Sequence, residues 1–336
     1  MRAHFINPIL GTGVFLSLFT LGSAGLSDCS KNLAFQLTNL FQLDSIQFDY
    51  ANCGADDTGN GYAAGIINFC TGTGDAWQVI EAYHKITGGN DEFTSLDKTL
   101  AAYAADGNGS TSGLEGFCEL WAKASKKQEF MDAQNQVLEA LYFNPSQEYA
   151  DSNSLKLSVT QAQLYDTAIS HGASNSSNGL GGMISLTNSR FSRDIPGNST
   201  STLQIGGYNI DEIEWLKEFL NVRAGYSVEG DATNSIRAYA LILQLQEYSW
   251  NDQITVLDND DKQVVISCAN SYMPAAESSS SSGSQAAEAE DMSASSSQSR
   301  ATRRKGTNSS RNSSENDDNS DDSTATDDGT EGTNNE

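Results

Sequence analysis

The sequence is poor in basic residues, with 19 Lys and Arg against 44 Asp and Glu, and its formal net charge is −25. Proteins that bind nucleic acid need basic side chains to neutralise phosphates, so this deficit argues against a nucleic-acid partner. A strongly negative surface attracts cations instead. The composition is therefore compatible with a polycationic ligand.

Histidine is also scarce, and none of the five cysteines is spaced as C-x-x-C. Zinc sites use clustered thiolate and imidazole ligands, so we expect no zinc centre. Aspartate-rich loops begin at Asp106 and Asp258, but neither has the glycine and the glutamate that an EF-hand calcium loop requires at its sixth and twelfth positions. We therefore expect the protein to use no metal and no other cofactor.

Long apolar runs are missing except at the N-terminus. Residues 1–24 contain Arg2, an apolar core at Ile9–Leu21 and the small residues GSA, which is the pattern of a secretory signal peptide cleaved after Ala24. The apolar run is too short for a convincing membrane span. We therefore expect a secreted, extracellular protein with no membrane span.

Aromatic residues are absent from residue 275 onwards, where serine, asparagine, glutamine and acidic residues dominate. Such a segment cannot bury enough apolar surface to offset the entropy lost on ordering. The composition predicts a disordered tail at residues 275–336, with a short basic segment at Arg300–Gly306. Residues 25–274 are left as a single folded domain.

The spacing of apolar residues in that domain predicts a mainly helical fold. The longest helix is expected at Ala124–Phe143, with a broad apolar face and with Pro145 ending it. Residues Ile254–Cys268 are expected to be extended. Further helices are expected at Leu33–Leu43, Asp75–Thr87, Phe93–Ala105, Leu155–His171, Asp211–Val222 and Ser235–Tyr248.

A glycine-rich segment, GNGYAAGIINFCTGTGD, runs from Gly59 to Asp75 and holds the apolar run Ile66–Phe69 between two turns. Glycine permits positive φ angles and close approach of the backbone to another group. The segment matches the dinucleotide fingerprint G-x-G-x-x-G only loosely, and a loop rather than a strand precedes it. The pattern indicates a backbone shaped around a different ligand or around a tightly packed helix.

The same segment, continued as GYAAGIINFCTGTGDAWQVIEAYH, resembles the signature of the chitosanases of glycoside hydrolase family 46. The segments STSGLEGF, LEALYFNPSQ and QLYDTAISHG follow in the family's order, so the resemblance covers most of Leu33–Cys268. It implies a two-lobed, lysozyme-like α+β fold with a long central helix and a cleft between the lobes. It also implies endo-hydrolysis of β-1,4 links in chitosan, with inversion, by a protein that we expect to be a monomer.

The resemblance has consequences for the cysteines. Cys70 stands at a position that is often a buried free cysteine in the family, so we expect its thiol to be free. The other four cysteines are then expected to form two disulfides in an oxidising compartment. The sequence leaves their connectivity open, although Cys29 and Cys53 are the nearest pair.

An inverting glycosidase needs a carboxylic acid that protonates the leaving oxygen and a carboxylate that activates water. At the family's acid position, in a pattern like Phe-Glu-Asn, this chain has Gln42. At the base position, in Gly-Asp-Gly-Arg-Gly-Tyr-Thr, an ungapped match places Thr58, and Ala63 replaces the threonine that helps to hold the water. A glutamine amide cannot deliver a titratable proton.

Nearby carboxylates offer replacements for the missing pair, with Asp44 as the acid and Asp57 or Asp56 as the base. The alternative is a catalytically impaired chitosan-binding protein on the same fold. A third hypothesis is an adhesion or surface protein in which the acidic tail is the functional part.

The resemblance also implies a set of residues that bind or support the substrate. Asp75 corresponds to an aspartate that contacts a glucosamine amine, although helix N-capping is an equal alternative. Tyr62 and Ala63 belong to the same substrate-binding segment. A charged network is expected to brace the cleft, although exposed ion pairs are the alternative, and its members are Asp166, Arg223, Glu229 and Arg237. His171 is expected to pack or to cap a helix.

Overall fold

The computed structural model describes residues 25–56, 58–226 and 231–273. The predicted signal peptide and the predicted tail lie outside the described residues, as do Asp57 and Glu229. Among the described residues, no helix is both long and apolar enough to cross a membrane.

The described part of the chain is mainly helical, as the apolar spacing predicts. The helices are α1 (Asp28–Leu43), α2 (Asp75–Thr87), α3 (Asp97–Asp106), α4 (Phe117–Ala124), α5 (Gln128–Leu138), α6 (Asn144–Ser152), α7 (Ser158–His171), α8 (Leu180–Ser189), α9 (Glu212–Ala224) and α10 (Asp231–Leu245). The strands are β1 (Cys53–Ala55), β2 (Tyr62–Ala64), β3 (Phe69–Cys70), β4 (Thr202–Ile205), β5 (Tyr208–Asp211), β6 (Gln253–Leu257) and β7 (Gln263–Ser267).

The helix predicted at Ala124–Phe143 is wrong at both ends. Helix α5 begins only at Gln128, and a π-helical turn at Glu139–Phe143 joins it directly to α6. Pro145 does not end the helical run, because it lies in the first turn of α6, directly after the π turn. Its missing N–H interrupts the hydrogen bonds of the run without ending it. The continuous run from residue 128 to 152 is called the central helix below.

The central helix connects two groups of elements. In the first group, strands β1, β2 and β3 form an antiparallel sheet, α4 packs on β1 and β2, and α2 packs on α3 and α5. In the second group, α7 contacts α1, α6, α8, α9 and α10. The hairpin of β6 and β7, which covers the segment expected to be extended, packs on α1 and α10.

Each group has its own buried aromatic cluster. In the second group, the ring of Phe35 on α1 lies 5.0 Å from that of Tyr165 on α7 and 5.4 Å from that of Phe143 in the π turn. In the first group, neighbouring ring centroids lie between 4.8 and 6.4 Å apart among Tyr83, Phe93, Phe117, Trp121 and Phe130. Such pairs stabilise a core beyond the apolar area that they bury.

The two disulfides join Cys29 to Cys268 and Cys53 to Cys118, and Cys70 is free. The predicted free thiol and the number of bridges are therefore confirmed. The pair nearest in sequence, Cys29 and Cys53, does not form. Cys29 lies at the start of α1 beside the end of the β6–β7 hairpin, whereas Cys53 opens β1 beside α4.

Candidate active site

The loop between β1 and β2 is folded around the carboxylate of Asp56. The Thr58 hydroxyl and the backbone N–H of Asn60, at 2.8 Å, both donate to Oδ2 of Asp56. The Asn60 side chain in turn donates to Thr58 Oγ1 at 2.6 Å. Thr58, which an ungapped match places at the base position, is therefore a hydrogen-bond donor to a carboxylate two residues earlier.

The surroundings of Asp56 favour its ionised form. Partial burial by itself raises the pKa of Asp56, but the hydrogen bonds from Thr58 and Asn60 outweigh it and lower the pKa below its ordinary value. The residue remains half-exposed. A carboxylate that is charged at neutral pH and open to solvent has the state that a general base requires.

Asp57, the other predicted base, lies outside the described residues, so its role stays a prediction.

Gln42 lies in the last turn of α1 and is half-buried. Its backbone carbonyl accepts a hydrogen bond of 2.9 Å from Asn68 Nδ2, while Asn68 Oδ1 accepts one of 2.7 Å from Asn52. Asn52 immediately precedes β1, the strand that leads to Asp56. The side chains of Asn68 and Asn52 therefore link the acid position to the strand that leads to the β1–β2 loop, which is called the base loop below.

Asp44 follows α1 in a left-handed conformation with a φ of 51°, and it is exposed. Its Oδ1 accepts a hydrogen bond of 2.5 Å from Asn259, in the turn between β6 and β7. The same amide also donates to the Leu40 carbonyl of α1 at 3.3 Å. The structure thus places Asp44 against this hairpin, and its role as the acid stays a prediction.

Asp75 is the first residue of α2, and its carboxylate is almost entirely buried. Oδ1 accepts hydrogen bonds from Cys70 N at 2.7 Å and from Thr73 Oγ1 at 2.6 Å, and Oδ2 accepts one from the Tyr142 hydroxyl at 2.7 Å. Burial raises the pKa of Asp75 although these hydrogen bonds oppose it. The helix N-cap is Gly74, so the N-capping alternative for Asp75 is wrong. Its contact with a substrate amine stays a prediction.

Tyr62 and Ala63 lie on the central strand of the sheet. The Tyr62 ring stacks on Phe117 with 5.3 Å between the ring centroids. Ala63 pairs with Gly54 on one side and with Cys70 on the other. An alanine side chain has no hydroxyl with which to position a water.

Of the predicted charged network, the structure pairs Asp166 with Arg223 at 2.6 Å, and both side chains are fully buried. Thr38 and Ser235 also donate to the Asp166 carboxylate. Arg237 lies elsewhere, where it forms a largely exposed ion pair of 2.7 Å with Asp261, and Glu229 lies outside the described residues. Whether the buried pair braces a cleft stays a prediction.

His171 ends α7 and is half-buried near the Asp166–Arg223 pair. Burial and the charge of Arg223 lower the pKa of His171 to about 4, so its ring is neutral at physiological pH. A packing role suits such a ring better than a proton-transfer role near neutral pH.

Sequence reasoning missed Asn68 and Tyr142, and it named Asp56 only beside Asp57. Aspartate followed by threonine and asparagine within four residues is a signal for an Asx-type turn, in which the carboxylate accepts hydrogen bonds from its own loop. Among the described residues there is no group of three or more His, Cys, Asp or Glu side chains that could hold a metal ion.

The comparisons with known proteins agree with each other. The sequence profile of glycosyl hydrolase family 46 matches residues 37–234. A chitosanase of Bacillus subtilis (strain 168) is 33% identical over 216 residues, which cover 62% of this chain and 74% of that protein.

Two solved structures are also similar to this chain. The native chitosanase of Bacillus subtilis MY002 has a TM-score of 0.63 and 28% identity, and the match covers 72% of this chain and all of that one. A GH46 chitosanase of Gynuella sunshinyii in complex with chitotetraose has a TM-score of 0.62 and 26% identity, over 72% of this chain and 98% of that one.

The mainly helical fold and a carboxylate-bearing loop beside a small sheet define a glycoside hydrolase with a lysozyme-like fold. The chain belongs to glycosyl hydrolase family 46.

Proposed function

We propose that this protein hydrolyses chitosan by cutting β-1,4 links between glucosamine units within the polymer, with Asp56 as the general base. The observation that carries the proposal is the Asp56 carboxylate, which its loop keeps ionised and half-exposed. The similar chitosanases, one of them in complex with chitotetraose, support the choice of substrate.

In this mechanism, the Asp56 carboxylate takes a proton from a water molecule as the water oxygen attacks the anomeric carbon. The hydrogen bonds from the Thr58 hydroxyl and the Asn60 N–H both end on Oδ2, so Oδ1, which carries neither, is the oxygen that receives the proton. In inverting enzymes, the acid lies on the opposite face of the sugar, ~6.5–9.5 Å from the base.

The proposed reaction lacks a carboxylic acid at residue 42 to protonate the leaving group. The Gln42 amide can donate a hydrogen bond to the leaving glycosidic oxygen but cannot transfer a proton. Unless Asp44 supplies that proton, the oxygen takes it from solvent. General acid catalysis contributes a factor of ~10²–10⁴ to the rate. We therefore expect slow turnover, and restoring a carboxyl group at residue 42 should accelerate it.

We also propose that the protein is secreted and that its acidic surface attracts the cationic polymer. The N-terminal pattern supports secretion, and the net charge of −25 supports attraction of a cationic polymer to the surface. We infer that the protein acts as a monomer, and light scattering of the purified mature chain tests that state.

The test is product formation from soluble chitosan oligosaccharides, followed by mass spectrometry, with mature protein that begins at Gly25. We expect slow cleavage by the parent and cleavage faster by ~10²–10⁴ in Gln42→Glu. The matched control is Gln47→Glu, which adds the same charge at an exposed position close by in the chain and should match the parent.

A different outcome would favour the catalytically impaired chitosan-binding protein. If the parent and Gln42→Glu both bind the oligosaccharides but neither releases products, the catalytic proposal is wrong.

A further inference from the structure

The loop that follows α3, residues 107–113, lies directly on the base loop. Gly109 is the point of contact, because a Cβ atom built on it would lie 1.8 Å from the Gly59 carbonyl oxygen and 3.0 Å from Asn60 Cα. No side chain fits at such distances, and the obstacle is backbone that cannot rotate away. The backbone of Gly109 has no positive φ, so the need for glycine here is one of space.

Gly72 contacts the same segment as Gly109. Its N–H donates to the Asn60 carbonyl at 2.8 Å, and a Cβ on Gly72 would lie 2.8 Å from that oxygen and 2.8 Å from Gly109 Cα. The backbone at Gly59 and Asn60 is therefore held between two glycines. Asn60 is also the residue whose N–H donates to the Asp56 carboxylate.

The loop of Gly109 is itself ordered by short-range bonds. The Tyr103 hydroxyl on α3 donates to the Ser112 carbonyl at 2.7 Å, and Asn108 N donates to the Tyr103 carbonyl at 2.9 Å. Ser110 N donates to Asn108 Oδ1 at 2.9 Å. The contact on the base loop is thus supported from α3.

We propose that Gly109 is a positioning residue for Asp56, because its missing side chain lets the α3 loop press the Gly59–Asn60 backbone into the turn that holds the carboxylate. The proposal rests on the proposed function for its catalytic consequence. The geometric part, that Gly109 sets the hydrogen bonds of Asp56, stands independently of turnover.

Gly109→Ala tests the proposal. A displacement of about 1 Å in a reacting group can lower a rate by ~10²-fold, so we expect kcat to fall by ~10–100-fold with little change in KM. Gly54→Ala is the control, since a Cβ there meets nothing within 4 Å and the backbone has no positive φ. That variant should keep the kcat of the parent.

A second control separates positioning from a general loss of stability. Gly88 has a φ of 77° at the end of α2, and a Cβ on it would meet nothing within 4 Å. Gly88→Ala strains the backbone outside the α3 loop and the base loop. We expect it to lower the melting temperature while leaving kcat close to that of the parent.

A readout that does not depend on turnover is the NMR titration of the Asp56 carboxyl carbon. In Gly109→Ala the donors Thr58 and Asn60 shift, so the pKa of Asp56 should rise relative to the parent and to Gly54→Ala. Burial and the charges of Asp75 and Asp56 raise the pKa of the Cys70 thiol to about 12, so the thiol does not titrate in this range. The titration of Asp56 thus tests its positioning by Gly109 even if the protein does not cleave chitosan.

If Gly109→Ala does not fold, Tyr103→Phe gives the same test without added volume, because it removes the hydroxyl that anchors the loop. A smaller rise in the pKa of Asp56 is expected from it. If the titration of Asp56 in the folded variants matches that in Gly54→Ala, Gly109 does not position the base and the proposal is wrong.

Discussion

Asp56 and Asp75 lie on either side of the three-stranded sheet in sequence, and each carboxylate accepts hydrogen bonds from its own turn. They differ in burial. Asp75 is 8% exposed and both of its oxygens are bound, whereas Asp56 is half-exposed. The pKa of Asp75 is raised and that of Asp56 is lowered, because burial dominates in the first and hydrogen bonding in the second.

The difference indicates that two aspartates beside one small sheet can serve different purposes. Asp75 holds the turn before α2 and ties it to the π turn through Tyr142, so its loss should affect folding. Asp56 is held by its own loop and stays open to solvent, so its loss should affect chemistry. The predictions below test this division.

The largest effect on stability is expected at Asp166, whose carboxylate is even more buried than that of Asp75. Asp166→Ala removes the carboxylate that pairs with the buried Arg223 guanidinium and should lower the free energy of unfolding by ~3–5 kcal/mol. Asp260→Ala, which breaks an exposed ion pair with Lys262, should have little effect, because solvent screens such a pair. Urea unfolding measures both, and equal losses would contradict this contrast.

At Asp75, alanine leaves several donors unpaired, including Cys70 N and the Tyr142 hydroxyl. We expect Asp75→Ala to lower the free energy of unfolding by ~2–3 kcal/mol. Asp75→Asn should recover part of this loss, because an amide oxygen can still accept hydrogen bonds and the burial that raises the pKa of Asp75 favours a neutral group. A stable Asp75→Ala would break the comparison with Asp56.

His84, near the C-terminal end of α2, contacts two carboxylates, and the strength of these contacts depends on pH. Burial lowers the pKa of His84, but hydrogen bonds from its ring nitrogens to Asp91, at 2.6 Å, and to Asp97, at 3.0 Å, raise it above its ordinary 6.5. Because the folded-state pKa is the higher one, the stabilisation is fully present below 6.5 and is lost as the pH rises through the folded-state value.

His84→Gln should therefore lower the free energy of unfolding by ~1–2 kcal/mol at about pH 5.5 and by less at about pH 9. Lys85→Gln removes a charge from the same turn at an exposed position and should show no such trend. A gap between parent and His84→Gln that stays constant across this range would contradict the ion-pair account.

The smallest effects on stability are expected from replacing the two threonines that donate hydrogen bonds to Asp56 and Asp75. Thr58→Val removes a donor to the half-exposed Asp56, so it should raise the pKa of that carboxyl and cost less than ~1 kcal/mol of stability. Thr73→Val removes a donor to the buried Asp75 and should cost ~1 kcal/mol without changing the titration of Asp56. Carbon-13 NMR and thermal unfolding distinguish the two, and the reverse pattern would overturn the division.

The sequence predicts local structure where local signals are strong. Helix α2 has the predicted bounds because Gly74 and Gly88, both with positive φ, stand at its ends. The π turn between α5 and α6 and the pairing of Cys29 with Cys268, 239 residues apart, depend on packing that no local pattern contains. The resemblance supplies the family and the fold.

The candidate site is predictable only in part, because it depends on a register difference of two residues. The ungapped match places Thr58 at the base position, whereas the hydrogen bonds of the folded loop end on Asp56, which we propose as the base. The sequence does not predict the ion-pair partner of Arg237 either, because Asp261 lies on a hairpin turn that is distant in sequence.

The most direct test of the account is the cleavage rate of Asp56→Asn beside that of Asp57→Asn, both made in the parent and in the faster Gln42→Glu background. We predict that Asp56→Asn lowers kcat by ~10²–10⁴ with an unchanged unfolding midpoint, and that Asp57→Asn keeps the rate of its background. Loss of cleavage in Asp57→Asn with retention in Asp56→Asn would contradict the account and move the base to the neighbouring residue.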